Sequence, residues 1–216
     1  MALRIDHLIV AVPDLDEAAA RLFERFGLAS VEGGRHQGHG TANRIVPLGD
    51  DYIELMSVID PAEAETSVMG RWVDAAAREG ARLHALCLRT DDIAGVAADR
   101  GLEAIPMTRL RPDGMVLSWR LAGLDRAISE PPLPFFIQWD TGRREMPGAA
   151  VAPHTCDPTG ITGVELTGDP AGIRAWIGDA DIPVAVAAGV PSLTNATIGT
   201  SDGEIVLANA GISWGP

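Results

Sequence analysis

Apolar residues dominate Ile5–Val12 (IDHLIVAV), stop at Pro13, and then recur every three or four positions through Leu15, Ala19, Leu22, Phe23 and Phe26. A strand-like run giving way to helical spacing across a proline predicts a strand and then a helix. Asp14 stands where an N-cap belongs, Glu17 follows three residues on, and Gly27 suits a left-handed C-terminal cap. A Gly-rich extended stretch (SVEGGRHQGHGT) comes next. It leads to a strand near Asn43–Leu48, a turn at Gly49-Asp50-Asp51 and a strand over Tyr52–Val58. The predicted order is β-α-β-β-β.

The pattern returns twice, at a period of ~78 residues. HALCLRT precedes DDIAGVAADRGL, and ITGVELTG precedes DPAGIRAW. Between the first two copies, Asp60-Pro61 breaks the strand, and Met69, Trp72, Val73 and Ala76 mark one face of a helix ending at Gly80. The second copy turns a hairpin at Pro112-Asp113-Gly114, and its last strand, PFFIQWD, matches DYIELMS of the first. The third copy is shorter, with a helix opened by Asp169-Pro170, a strand at VAVAA and a hairpin at Asp202-Gly203. It carries no histidine and reads as a structural or dimer-forming appendage.

The expected fold is therefore α+β. Tandem βαβββ units form a cupped mixed sheet with helices packed outside, and a shorter third βαβββ-like unit follows. The units divide as 1–60, a connecting helix in 61–82, 83–140, a Gly/Pro/Ala-rich linker in 141–160, and 161–216, together one domain.

Composition narrows the function. The net charge is −13, with 30 acidic against 17 basic residues, and no basic cluster is present to neutralise phosphates, so nucleic acid is not an expected partner. No apolar run is long enough to span a membrane. Two cysteines in no metal-binding spacing, with no secretory signal pattern, point to the cytoplasm. There is no Ser-His-Asp order, P-loop, H-E-x-x-H or dinucleotide fingerprint, so no nucleotide cofactor is expected.

The opening IDHLIVAVPDLDEA, the strand YIELMS and the paired β-α-β-β-β units resemble the vicinal oxygen chelate superfamily. Its members include glyoxalase I, extradiol dioxygenases, methylmalonyl-CoA epimerase and the fosfomycin and bleomycin resistance proteins. GGRHQGHGTANRIVPLGDDYIEL, RPDGMVLSWRLAG and LPFFIQWD are similar to its glyoxalase-like group. The resemblance covers residues 3–140 well and the last third loosely.

It implies a divalent metal (Mn, Fe, Ni or Zn) held in the cup by the first and last strands of each unit. His7 and Glu54 match the first unit's pair and are the expected catalytic residues and metal ligands. In the second unit Ala85 falls opposite His7 and Gln138 opposite Glu54, with His84 one residue off register. A third donor would have to come from His36 or His39, and His36 completes the expected metal set.

The remaining substrate-binding candidates are His36, Asn43, Arg89, Trp119 and Gln138. Asn43 could fix a substrate oxygen or stabilise a turn. Arg89 could meet a carboxylate or phosphate or form a surface salt bridge. Cys87 reads as a small buried hydrophobe, Arg109 and Arg111 as solvated hairpin residues, and His154 as an exposed linker residue.

Two functions stay open. One is a metal-dependent isomerase or lyase, less readily a dioxygenase, acting on a small oxygen-bearing metabolite. The other is a metal-free protein that binds an antibiotic or metabolite, like the resistance proteins. An assembly scaffold is a third reading, which a glutamate inside the apolar strand Tyr52–Met56 argues against. The partner is a small molecule in either main case, and a homodimer is expected because repeated open sheets commonly pair.

Overall fold

Each of the first two repeats folds as the periodicity predicts. The computed structural model describes residues 2–78, 80–111 and 114–209, so Pro112 and Asp113 of the expected hairpin turn lie outside the described residues. The first unit is β1 (Leu3–Ala11), α1 (Leu15–Phe26), β2 (Val31–His36), β3 (Thr41–Pro47) and β4 (Tyr52–Val58). Asp14 caps α1 by accepting the Glu17 N–H at 2.8 Å, and Gly27 ends it at φ 70°. The second unit is β5 (Arg82–Thr90), α4 (Ile93–Arg100), β6 (Ala104–Leu110), β7 (Val116–Ala122) and β8 (Phe135–Trp139).

The connector differs from the single helix expected. It holds α2 (Pro61–Thr66) and α3 (Val68–Ala77), divided at Ser67, which ends the first and caps the second by accepting the Gly70 N–H. A further helix, α5 (Leu124–Ser129), stands between β7 and β8.

The eight strands of the two units make one sheet in the order β2-β3-β4-β1-β5-β8-β7-β6. β1 and β5 pair antiparallel at its centre, and each unit's last strand lies parallel beside its first. The sheet curls until its two ends meet. Arg109 on β6 donates to the Asn43 side chain on β3 at 3.1 Å, and a Cβ at Gly34 on β2 would lie 3.4 Å from Arg109 Cδ.

The two faces have different partners. On the convex side Leu8, Val10, Leu86 and Leu88 pack with Ala18 and Leu22 of α1 and with Ile93 and Val96 of α4. The third unit joins the same apolar cluster through Ile161, Val164, Leu166, Ala196 and Ile198, so it covers the outside of the sheet. On the concave side Ile9, Met56, Ala85, Cys87, Phe135 and Ile137 pack with Val73 of α3 and Ala127 of α5. Thus α1 and α4 lie outside as expected, while α3 and α5 cover part of the hollow.

The third unit runs β9 (Pro158–Gly168), α6 (Pro170–Ile177), β10 (Val184–Ala188), β11 (Ser192–Thr200) and β12 (Gly203–Ala208). Its elements follow the expected sequence, but its strand order is β10-β9-β11-β12. The strand after α6 returns parallel beside β9, whereas β2 and β6 run to the sheet edges. The short helix closes a simple crossover and forms no cup. Among the described residues no helix is long and apolar enough to cross a membrane.

Candidate functional site

Glu54 is the centre of the polar cluster on the concave face. It sits mid-strand in β4, between Ile53 and Leu55, which pack on the convex side, and is 7% exposed. Glu54 Oε2 lies 3.5 Å from His7 Nε2, and Glu54 Oε1 lies 3.7 Å from His36 Nε2. Asn43 Nδ2 donates to Glu54 Oε1 at 2.5 Å. The structure therefore brings together His7, Glu54, His36 and Asn43, all from the first unit.

Both imidazoles are oriented by their other nitrogen. His7 Nδ1 donates to Asp6 Oδ1 at 2.7 Å, and its Nε2 points at Glu54. His36 Nδ1 meets Thr41 Oγ1 at 2.9 Å, and its Nε2 receives the Asn43 amide at 3.4 Å. Burial pushes the His36 pKa down, and the Arg109 charge adds to this, so the ring is neutral near pH 7. Two imidazoles and a carboxylate thus approach one another at separations too long for hydrogen bonds between them. Such a gap between acceptors suits a cation or a proton in transit.

Asp6 escaped the sequence reading because regular alternation points it away from His7. The β1–β5 pairing slips between Ile5 and His7, so Asp6 occupies a bulge and its side chain joins that of His7. Asp6 Oδ2 accepts the Trp139 indole N–H at 2.9 Å and lies 3.6 Å from Arg89 Nη1. Tyr52 stacks on His7 with ring centroids 4.6 Å apart, and Phe135 meets it edge-on at 5.6 Å. The imidazole is held on every side, in the manner of a ligand or base that must not rotate.

Which residues suit a metal follows from donor chemistry. Among the described residues, one group of three places its ligand atoms all within 4.8 Å of one another: Asp6, His7 and Cys87. Its Asp6 oxygens already accept from His7 and Trp139. Burial and the Asp6 charge push the Cys87 thiol pKa well up, keeping it protonated. That group orients His7 and is a poor cation site. His7 Nε2 and His36 Nε2 address different oxygens of the Glu54 carboxylate, and the ligand atoms of these three residues do not all lie within 4.8 Å of one another, so two imidazoles and a carboxylate share one ion only if a ring moves inward.

The other expected site residues separate. Trp119 lies on the concave face beside Trp139, ring centroids 5.4 Å apart. Arg89 faces inward but is engaged with Asp6, the Asp50 carbonyl at 3.1 Å and Met146 Sδ at 3.5 Å. Gln138 is a correction. Phe135, Ile137 and Trp139 take the concave side of β8, so Gln138 points outward, where its Oε1 accepts the Ile93 N–H at 2.8 Å and caps α4. His39 bonds Ser67 Oγ at 2.6 Å, outside the cluster. His84 sits at the matching bulge of the second repeat, against Trp72 at 4.1 Å, with burial lowering its pKa to about 4.

Two expectations of exposure also change. His154 Nδ1 accepts the Ala29 N–H at 3.0 Å and ties the linker to the end of α1. Arg109 enters the cluster, because the curl of the sheet carries β6 over β2. The Gly-Gly pair was the signal in the sequence. A Cβ at Gly33 would collide with Asn43 Oδ1, and one at Gly34 would rest in ordinary contact with Arg109 Cδ at 3.4 Å.

Comparison with known proteins agrees with this architecture. The Glyoxalase-like domain family matches residues 5–178. No curated protein sequence matches the chain. A hypothetical protein from Staphylococcus aureus, 19% identical, superposes with a TM-score of 0.68 over 94% of this chain and 98% of its own. A variant of methylmalonyl-CoA epimerase from Streptomyces coelicolor, bound to 2-nitronate-propionyl-CoA, is 19% identical with a TM-score of 0.48 over 65% of this chain and 97% of its own. The epimerase from Mycobacterium tuberculosis is 20% identical with a TM-score of 0.44, over 62% and 85%. At 19% identity the likeness to the Staphylococcus aureus protein is one of fold. The family match spans most of the sequence, and the chain belongs to the Glyoxalase-like domain family.

Proposed function

We propose that the first repeat carries a proton-transfer site of the isomerase or lyase kind, acting on a small oxygen-bearing molecule, with a divalent ion held by His7, Glu54 and His36. The observation that carries this reading is the approach of His7 Nε2 and His36 Nε2 to the buried Glu54 carboxylate, at 3.5 and 3.7 Å. When bound, the ion supplies Lewis acidity toward a carbonyl or enolate oxygen.

The chain's own residues do the rest. Glu54 takes a proton from carbon and returns it, through the carboxylate oxygen facing the ligand. Asn43 holds that carboxylate by its amide N–H, and Gly34 fixes the amide by donating its own N–H to Asn43 Oδ1 at 2.7 Å. Asp6 keeps His7 in the Nδ1–H form. Trp119, Trp139 and Phe135 supply an apolar wall that excludes water.

A second reading, a metal-free binding protein, draws support from one feature. The second repeat adds no donor, since Cys87, Phe135 and Ile137 line its share of the concave face. Elemental analysis of protein purified without added metal separates the two. About one divalent ion per chain, lost in His7→Ala with the fold intact, supports the enzyme. No metal in either protein, together with a ligand-induced rise in melting temperature in both, supports the binder.

A further inference from the structure

Arg109 sits at the seam where the two ends of the sheet meet, and its bonding is incomplete. Its Nη1 donates to Asn43 Oδ1 at 3.1 Å. Its Nε is buried and has no hydrogen-bond partner. Neither Nε nor Nη2 donates to a described residue, and no described carboxylate pairs with it. Arg109 as a whole is half-buried, but a buried N–H donor left without an acceptor is costly. Asn43 connects the two halves of the site, donating to Glu54 from one end of its amide and accepting from Arg109 at the other.

We infer that the ligand of this site carries a carboxylate, received on the Nε–Nη2 edge of Arg109. With Nη1 held by Asn43, that edge presents two parallel N–H donors, the spacing of a planar carboxylate. One amide separates Arg109 from Glu54, so the carboxylate and the acidic carbon belong to one short skeleton. The substrate class is a small 2-oxo or 3-oxo carboxylic acid. Glu54 takes the proton from the carbon beside the carbonyl, the C–H electron pair passes to the carbonyl oxygen, and the guanidinium holds the far end. This rests on the proposed role of the Glu54 cluster and adds the anchor to it.

The test uses the full chain, with pyruvate, 2-oxobutyrate and 2-oxoglutarate as probes and methyl pyruvate as the uncharged control. Affinity is measured by titration calorimetry, and hydrogen–deuterium exchange beside the carbonyl by NMR in heavy water. At least one acid binds the wild type, and its affinity falls at least ~10-fold in Arg109→Gln and less in Arg109→Lys. Methyl pyruvate binds more weakly and is indifferent to the substitution. Equal binding of acid and ester, unchanged acid affinity in an Arg109→Gln protein that melts like the wild type, or no binding by any of the three acids overturns the anchor. If Arg109→Gln does not fold, the acid–ester contrast on the wild type and Arg109→Lys decides. Glu54→Gln keeps the acid bound and loses the exchange. Exchange that survives this substitution removes the proposed proton transfer and leaves the anchor standing.

Discussion

The two halves of the eight-stranded sheet share one topology and differ in what they turn toward the hollow. The first presents His7, Asn43 and Glu54 on its concave face, with His36 at the rim. The second presents Ala85, Cys87, Phe135 and Ile137, backed by Trp119 and Trp139. Both carry a bulge at the same place in their first strand, Asp6 in one and His84 in the other. Asp6 orients a histidine through it, while His84 packs its ring on Trp72. A repeated unit thus sets the shape twice and the chemistry once. The silent half still contributes, by lending the Trp139 N–H to Asp6 and carrying Arg109 across the seam to Asn43.

That asymmetry can be broken from either side. The largest effect is expected at Glu54. Glu54→Gln lowers turnover by roughly 10²–10⁴-fold, while Ile137→Val on the matching strand of the second half stays within about twofold once stability is matched. Steady-state rates on a turned-over substrate decide this, and equal losses would remove the contrast.

Asp6→Ala comes next. It strands the Trp139 indole N–H and leaves Arg89, 8% exposed, without its carboxylate neighbour. A cost of roughly 3–5 kcal/mol in unfolding free energy is expected, read from urea denaturation.

The third unit is tied to the first half through Asp51, whose two carboxylate oxygens accept the Ile161 N–H at 3.2 and 3.0 Å. Burial pushes the Asp51 pKa up to about 6. Folding therefore favours its protonated form, and this stability is complete below about pH 4 and is lost as pH rises through about 6. Asp51→Asn keeps an acceptor and removes the charge. The variant is expected to melt a few degrees above the wild type at pH 8 and level with it near pH 4.

The smallest effect is at Gln138. Removing its cap on α4 with Gln138→Ala costs about 1 kcal/mol and leaves turnover unchanged, because the side chain faces away from the hollow.

Most of the architecture was legible in the chain. Strand-like runs ending at Pro13 and Pro61, Asp14 as a cap and Gly27 as a left-handed terminator mark the elements where they occur. His7 and Glu54 stood out as polar residues inside apolar strands, and they do face each other.

What stayed hidden depends on one-residue slips and on closure. A bulge shifts the register by one without altering the hydrophobic pattern, so nothing in the sequence set Asp6 beside His7, whereas on the regular strand β8 the alternation of Phe135, Ile137 and Trp139 turns Gln138 outward. Arg109 looked solvated because its partners lie on the far edge of the sheet, and only the curl brings them together. The adjacent glycines 33 and 34 held that information, as the empty space that Asn43 and Arg109 occupy.

The central claim is that the Nε2 atoms of His7 and His36 and the carboxylate of Glu54 form a cation-binding site. Anomalous diffraction from crystals grown with manganese tests it most directly. The account predicts one peak per chain at coordination distance from His7 Nε2 and a Glu54 oxygen. A peak beside Cys87, or none on the concave face, would contradict it.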